Sequence, residues 1–161
     1  MPAQTPPPLE RRYWCAGLYL NFLAEAPDTG GDFTLIEGVV RGGTEPPHHA
    51  HTYEDEALLV LEGELEVWYG GRHVRLGAGD CLMPRRQEHY FRCLTPQVRL
   101  LVKLSPGGLE RGFKAFGVPF SESLLPPPPE RVPDFPEIAR IFGELGVYFD
   151  VGTRTAIRSG E

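Results

Sequence analysis

GTEPPHHAHTYEDEALLVLEG, residues 43–63, is the stretch whose reading decides the fold. In an extended strand, residues i and i+2 point to the same side. His49 and His51 therefore face one way and Ala50 the other. The polar turn Thr52–Asp55 follows, and Glu56 opens the apolar run Ala57–Leu61, sharing a strand face with Leu58 and Val60. The five-residue step from His51 favours Glu56 as a ligand over Glu54 and Asp55, which fall in the turn and are expected to be solvated. Downstream, the turn Pro84–Glu88 precedes a second strand, His89–Cys93, whose face carries His89, Phe91 and Cys93. Four of the chain's five histidines thus sit in two short windows, with a carboxylate at a matching offset. Packing alone rarely concentrates imidazoles in this way. The expectation is one divalent transition metal per chain, held by His49, His51, Glu56 and His89. Imidazole nitrogen and carboxylate oxygen suit Ni, Mn, Fe, Co, Cu or Zn rather than calcium. His48 alternates to the opposite face from His49 and reads as a surface residue. His73 follows Gly70-Gly71-Arg72 and reads as an exposed hairpin residue.

The rest of the chain is consistent with β-structure around that site. From Tyr13 to Leu104, short apolar runs are broken by Gly, Pro, Asp and Asn. Glu64–Tyr69 alternates, with Leu65, Val67 and Tyr69 on one face, and Gly70-Gly71 then marks a hairpin turn. Val98–Leu104 also alternates, and Trp14–Leu23 suits an early strand. Regular short strands with turn signals predict a sandwich or barrel rather than an α/β fold. No internal repeat is evident, so a single barrel is expected.

The spacing Gly43-x5-His49-x-His51-x4-Glu56-x6-Gly63 resembles the first motif of the cupins, and Pro84-x4-His89 resembles the second. The second motif usually places Gly two residues after the Pro and Asn four after the His; here Arg86 and Cys93 stand there. Pro46–Glu56, followed by Val60–Leu65, is similar to quercetin dioxygenase-like single-domain cupins. The likeness takes in Asp28–Gly31 and Ser105–Glu110 and spans roughly residues 13 to 150. It implies an all-β cupin jelly-roll β-barrel (a double-stranded β-helix) with a short C-terminal helical extension. In that family a flavonol hydroxyl binds the metal and the Glu matching Glu56 accepts its proton, so the resemblance makes Glu56 both ligand and catalytic base. Leu58, Val60 and Phe91 are the expected substrate pocket. The expected partners are a small-molecule substrate, dioxygen and a second copy of the chain as a homodimer.

The expected organisation is a Pro-rich arm at 1–12, the barrel at 13–106, and an extension at 107–161. The extension holds a stiff linker at Pro126–Pro129, a helix at about 135–145 and a tail from Val151. Asp134-Phe135-Pro136-Glu137 resembles a capping box. Phe135, Ile138, Ile141, Phe142 and Leu145 fall on one helical face, which is expected to cover the barrel.

Composition excludes several classes. The formal net charge of −6 leaves no basic footprint for nucleic acid. Three widely spaced cysteines, Cys15, Cys81 and Cys93, argue against a disulfide framework and for a reducing compartment. Arg11-Arg12 before Trp14–Leu23 imitates a secretion signal, but Asn21 interrupts it and aromatic residues crowd it. A cytoplasmic protein is expected, with no membrane span. The leading functional expectation is a metal-dependent dioxygenase of a small aromatic or polyhydroxylated substrate. The alternatives are isomerisation, decarboxylation or oxalate chemistry at the same metal, or a non-enzymatic small-molecule-binding module. Arg86 is the one candidate for holding a small carboxylate.

Overall fold

A computed structural model describes residues 11–121 and 135–149. Residues 1–10 of the expected Pro-rich arm, the linker at 126–129, the capping residue Asp134 and the tail from Val151 lie outside the described residues, while Arg12, expected in the arm, opens the first strand.

Two antiparallel sheets organise the described chain. The first contains β1 (Arg12–Cys15), β2 (Leu18–Ala24), β3 (Thr34–Arg41), β5 (Asp55–Glu62), β8 (Cys81–Leu82), β10 (Gln97–Ser105) and β11 (Val118–Pro119). Their order across the sheet is β11-β1-β2-β3-β10-β5-β8. The second contains β4 (His49–His51), β6 (Leu65–Tyr69), β7 (Arg72–Leu76), β9 (His89–Cys93) and β12 (Val147–Phe149), in the order β12-β4-β9-β6-β7. The non-sequential order is that of a jelly roll, and the sheets do not join edge to edge into a closed barrel. Two helices follow the main strands: α1 (Glu110–Phe116) and α2 (Phe135–Glu144).

Alternation explains which faces are buried. In β5, Glu56, Leu58 and Val60 are buried while Ala57, Leu59 and Leu61 are not. In β6, Leu65 and Val67 are buried. One continuous core unites Leu58, Val60 and Leu100 of the first sheet with Leu65, Val67 and Phe91 of the second. The expected early strand over Trp14–Leu23 is in fact a hairpin. The chain turns at Ala16 and Gly17, both at positive φ (50 and 86), and two strands pair antiparallel across that turn. Gly70 and Gly71, at φ 50 and 76, form the expected turn between β6 and β7.

The C-terminal region adds to both sheets. Val118 and Pro119 pair with β1, and Val147–Phe149 pair with β4, the strand that carries His49 and His51. α2 buries Ile138 and Phe142, and its ring contacts run to Phe113, Phe116 and Phe149. A buried carboxylate, Glu110, fastens the start of α1. It accepts hydrogen bonds from Thr34 Oγ1 (2.6 Å), the Ala26 amide (2.8 Å) and the Gly108 amide (3.0 Å).

Candidate metal centre

Three strands bring the four side chains together. β4 presents His49 and His51 on one side, and β9 is paired beside it with His49 opposite His89. β5 supplies Glu56 from the other sheet. One ligand atom from each of the four lies within 4.8 Å of the rest, as groups converging on a single ion do. His51, Glu56 and His89 are buried, and His49 is partly so.

The imidazoles are oriented from behind. His49 Nδ1 lies 2.8 Å from the Pro47 carbonyl and His89 Nδ1 lies 2.9 Å from the Gln87 carbonyl. His51 Nδ1 lies 3.4 Å from Glu54 Oε2. An acceptor at Nδ1 places the proton there and leaves Nε2 as a lone-pair donor, the usual device behind metal-bound histidine. His51 Nε2 and His89 Nε2 lie 3.2 and 3.0 Å from Glu56 Oε2. Yet His51 Nε2 and Glu56 Oε2 are buried without an aligned hydrogen-bond partner. Buried polar atoms in this condition are costly, and a cation between them would satisfy both. The residues therefore fit a divalent metal, with three nitrogens and one carboxylate as donors.

The electrostatics of the metal-free cluster agree. Burial, reinforced by the neighbouring His89, drives the His49 pKa down to about 3. Burial also opposes protonation of His51, but the Glu54 and Glu56 carboxylates outweigh it and hold its pKa up at about 9. His89 is raised because Glu56 outweighs its burial. Glu56 is buried too, yet His51 and His89 keep it well below the usual carboxylate range. The carboxylate is thus ionised and faces a protonated His51, whose Nε2 proton a metal would displace.

The cluster borders a cavity of about 400 Å³ lined by His49, His51 and Glu56 together with a predominantly apolar wall. Leu58 and Phe91 line it; Val60 is fully buried in the core and is not among the lining residues. Much of the wall comes from residues not singled out as pocket residues in the sequence: Phe113 and Phe116 of α1, Phe142 of α2, and Val147 and Phe149 of β12. The helical periodicity of α2 was their one sequence signal. The three-residue run at β12 carries no such pattern. Among the described residues, no Arg or Lys lines the cavity.

Other expected positions resolve differently. Glu54, expected to be solvated, is 6 % exposed and turned in towards His51. Asp55 begins β5 and is partly buried. His48, expected at the surface, is largely covered and lies 3.1 Å from Glu88 Oε1. His73 is exposed and stacks on Trp68 with ring centroids 4.7 Å apart. Arg86 is exposed, 3.8 Å from Asp55 Oδ1, in a turn where Arg85 takes a positive φ of 57. Cys93 is half-buried, with Sγ 3.7 Å from the Val40 carbonyl, and its amide donates to Glu45. Among the described residues, no helix is long and apolar enough to cross a membrane.

Comparison with known proteins agrees with this geometry. Residues 36–105 match the family described as Cupin domain. Quercetin 2,3-dioxygenase of Bacillus subtilis (strain 168) is 28% identical over 111 residues, covering 68% of this chain and 33% of that protein. The aligned part is thus only about a third of that relative's length. Among solved structures, ectoine synthase from P. lautus superposes with a TM-score of 0.59 at 19% identity, covering 79% of this chain and 89% of that one. KdgF from Halomonas sp. gives 0.54 at 22% identity, covering 62% and 89%. An RmlC-like cupin from Shewanella frigidimarina NCIMB 400 gives 0.52 at 26% identity, covering 60% and 82%. Residues 36–105 of this chain thus match a cupin domain, and the jelly-roll architecture and convergent His–His–Glu–His set of the described residues agree with that match.

Proposed function

We propose that the protein is a metal-dependent dioxygenase acting on a small aromatic or polyhydroxylated substrate, in the manner of quercetin 2,3-dioxygenase. The observation that carries this reading is that the cluster, through His49, His51 and Glu56, opens onto an apolar, ring-lined cavity of about 400 Å³. That volume lies in the range of small-molecule pockets.

His49, His51, Glu56 and His89 would hold the ion. When bound, a redox-capable divalent ion supplies Lewis acidity towards a substrate hydroxyl and a means of engaging dioxygen. The chain's own residues do the rest. Leu58, Phe91, Phe113 and Phe142 receive the apolar body of the substrate and exclude water from it. Glu56, kept ionised, takes the hydroxyl proton on a carboxylate oxygen, so it serves as both ligand and base. Decarboxylase or oxalate chemistry is the weaker reading, because a small carboxylate would find no Arg or Lys among the described lining residues. The proposal includes a cytoplasmic homodimer; free Cys15, Cys81 and Cys93 suit a reducing compartment, and the edge strand β12 offers a pairing surface.

The test is elemental analysis of untagged protein and of His89→Ala, followed by oxygen uptake with flavonols and other enediols for wild type and Glu56→Gln. The expected result is about one redox-capable metal per chain, lost in His89→Ala. Turnover should fall by about 10² or more in Glu56→Gln. Metal binding without oxygen uptake would move the assignment to an isomerase or binding role, and a chain that takes no metal would sink the enzyme reading.

A further inference from the structure

We propose that Glu54 is a positioning and selectivity residue of this centre. It holds His51 through Nδ1, and its charge turns the loaded site towards neutral hydroxyl ligands and away from anions. This rests on the reading that His49, His51, Glu56 and His89 hold a divalent metal.

The three imidazoles are not supported alike. His49 and His89 give their Nδ1 sides to backbone carbonyls, which are neutral. At Nδ1, His51 alone of the three faces a carboxylate, Glu54 Oε2 at 3.4 Å, and both side chains are nearly inaccessible. The placement of Glu54 is built into the fold. The Thr52 amide donates to the Gly146 carbonyl (2.9 Å), which anchors the turn between β4 and β5 to the end of α2. Tyr53 projects outward, 63 % exposed, and Glu54 turns inward. Gly146 sits there at φ 83, a left-handed backbone conformation that favours glycine.

The charge consequence follows. Glu56 and Glu54 together balance a divalent ion, so the loaded centre is electroneutral. Glu45 adds a third carboxylate and lines the cavity as Glu56 does, whereas Glu54 stands behind His51; the Glu45 oxygens are held by the Gly43 amide (2.8 Å) and the Cys93 amide (3.1 Å). With no Arg or Lys among the described lining residues, an electroneutral centre beside the Glu45 carboxylate offers an incoming anion no net positive charge in a low-dielectric pocket. A neutral hydroxyl needs none.

Two substitutions separate the roles. Glu54→Gln keeps an acceptor for the His51 Nδ1 proton and removes the charge; Glu54→Ala removes both. Each full-length protein is titrated with cobalt(II) alone, read by its visible spectrum, and then with azide as a small anion. Wild type should take one cobalt and bind azide weakly. Glu54→Gln should keep cobalt affinity within a few-fold and bind azide about tenfold more tightly or better. Glu54→Ala should lose about 10- to 100-fold in cobalt affinity, with an altered spectrum. Equal cobalt affinity and spectra in all three, with azide affinity unchanged in Glu54→Gln, would overturn the inference and leave the proposed function standing. A wild type that binds no cobalt would overturn both. Circular dichroism of the metal-free forms identifies a variant that fails to fold; Glu54→Gln, matched in shape, then decides the charge argument alone.

Discussion

At the residue scale, the centre is a set of acid–base groups before it is a metal site. His51 is held at about 9 because Glu54 and Glu56 outweigh its burial, and Glu56 lies well below the usual carboxylate range because His51 and His89 outweigh its own. A metal can bind His51 only by displacing its Nε2 proton. Affinity should therefore rise as pH is raised from about 6 towards 9, approaching tenfold per unit where one proton is released. Calorimetric titration with zinc in buffers of different ionisation enthalpy should report about one released proton near neutrality. Binding that is independent of both pH and buffer would contradict the proton assignment. Gly63, which ends the first motif, has a different role. Its φ is 89, and a Cβ there would meet the Gln97 carbonyl and Thr95 Oγ1 at 2.7 Å, so the turn after β5 admits only glycine.

At the element scale, α2 and β12 do more than cover the core. β12 pairs with β4 residue for residue, Val147 with His51 and Phe149 with His49, and so braces the ligand strand on the side away from β9. The Phe149 ring lies 5.7 Å from that of His49. Phe142 stands edge-on to Phe113 at 5.0 Å and, 4 % exposed, forms part of the cavity wall. Truncation of a large buried aromatic typically costs about 3–5 kcal/mol. Phe142→Ala should lose stability in that range in urea denaturation and enlarge the cavity beside the candidate metal centre. A loss below about 1 kcal/mol would mean that α2 is only loosely attached to the sheets.

At the scale of the whole molecule, the centre and Glu110 both tie distant parts of the chain together. Three candidate ligands come from one sheet and Glu56 from the other, so a bound ion would link two sheets that share no strand pairing among the described residues. Metal at about a hundred times its Kd should stabilise the fold by about 2.7 kcal/mol. Removal of metal with a chelator should lower the Tm measurably, and the difference should vanish in His89→Ala. Glu110 joins the Ala26 loop, β3 and the start of α1. Burial tends to raise its pKa, but the Thr34 hydroxyl and the Ala26 and Gly108 amides outweigh burial and lower it. A carboxylate whose native pKa is depressed contributes stability above its unfolded value of about 4.3, and this is lost as pH falls through the native value. Glu110→Gln should therefore be less stable than wild type at pH 7, by about 1–3 kcal/mol. The gap should narrow as the pH drops below about 4.3, and a gap that stayed constant to pH 3 would show that Glu110 acts by shape rather than charge.

The chain by itself determined the features that depend on spacing along one strand. Alternation put His49 and His51 on one side and Glu56, Leu58 and Val60 on another, because a strand repeats every two residues. The Gly70-Gly71 turn and the 3.6-residue pattern of α2 were equally local. Tertiary structure alone decided what depends on neighbours distant in sequence. It turned Glu54 inward, since the Gly146 carbonyl 92 positions beyond it anchors that turn. It placed Val147–Phe149 beside the ligand strand, although three residues are too few to show a period. It assigned Val60 to the core and the rings of α1 and α2 to the cavity, because both kinds of position are apolar and only packing distinguishes them. Strand periodicity therefore encoded the candidate metal-binding set, whereas the shape and charge of the surrounding cavity arose only when the C-terminal elements packed against the two sheets.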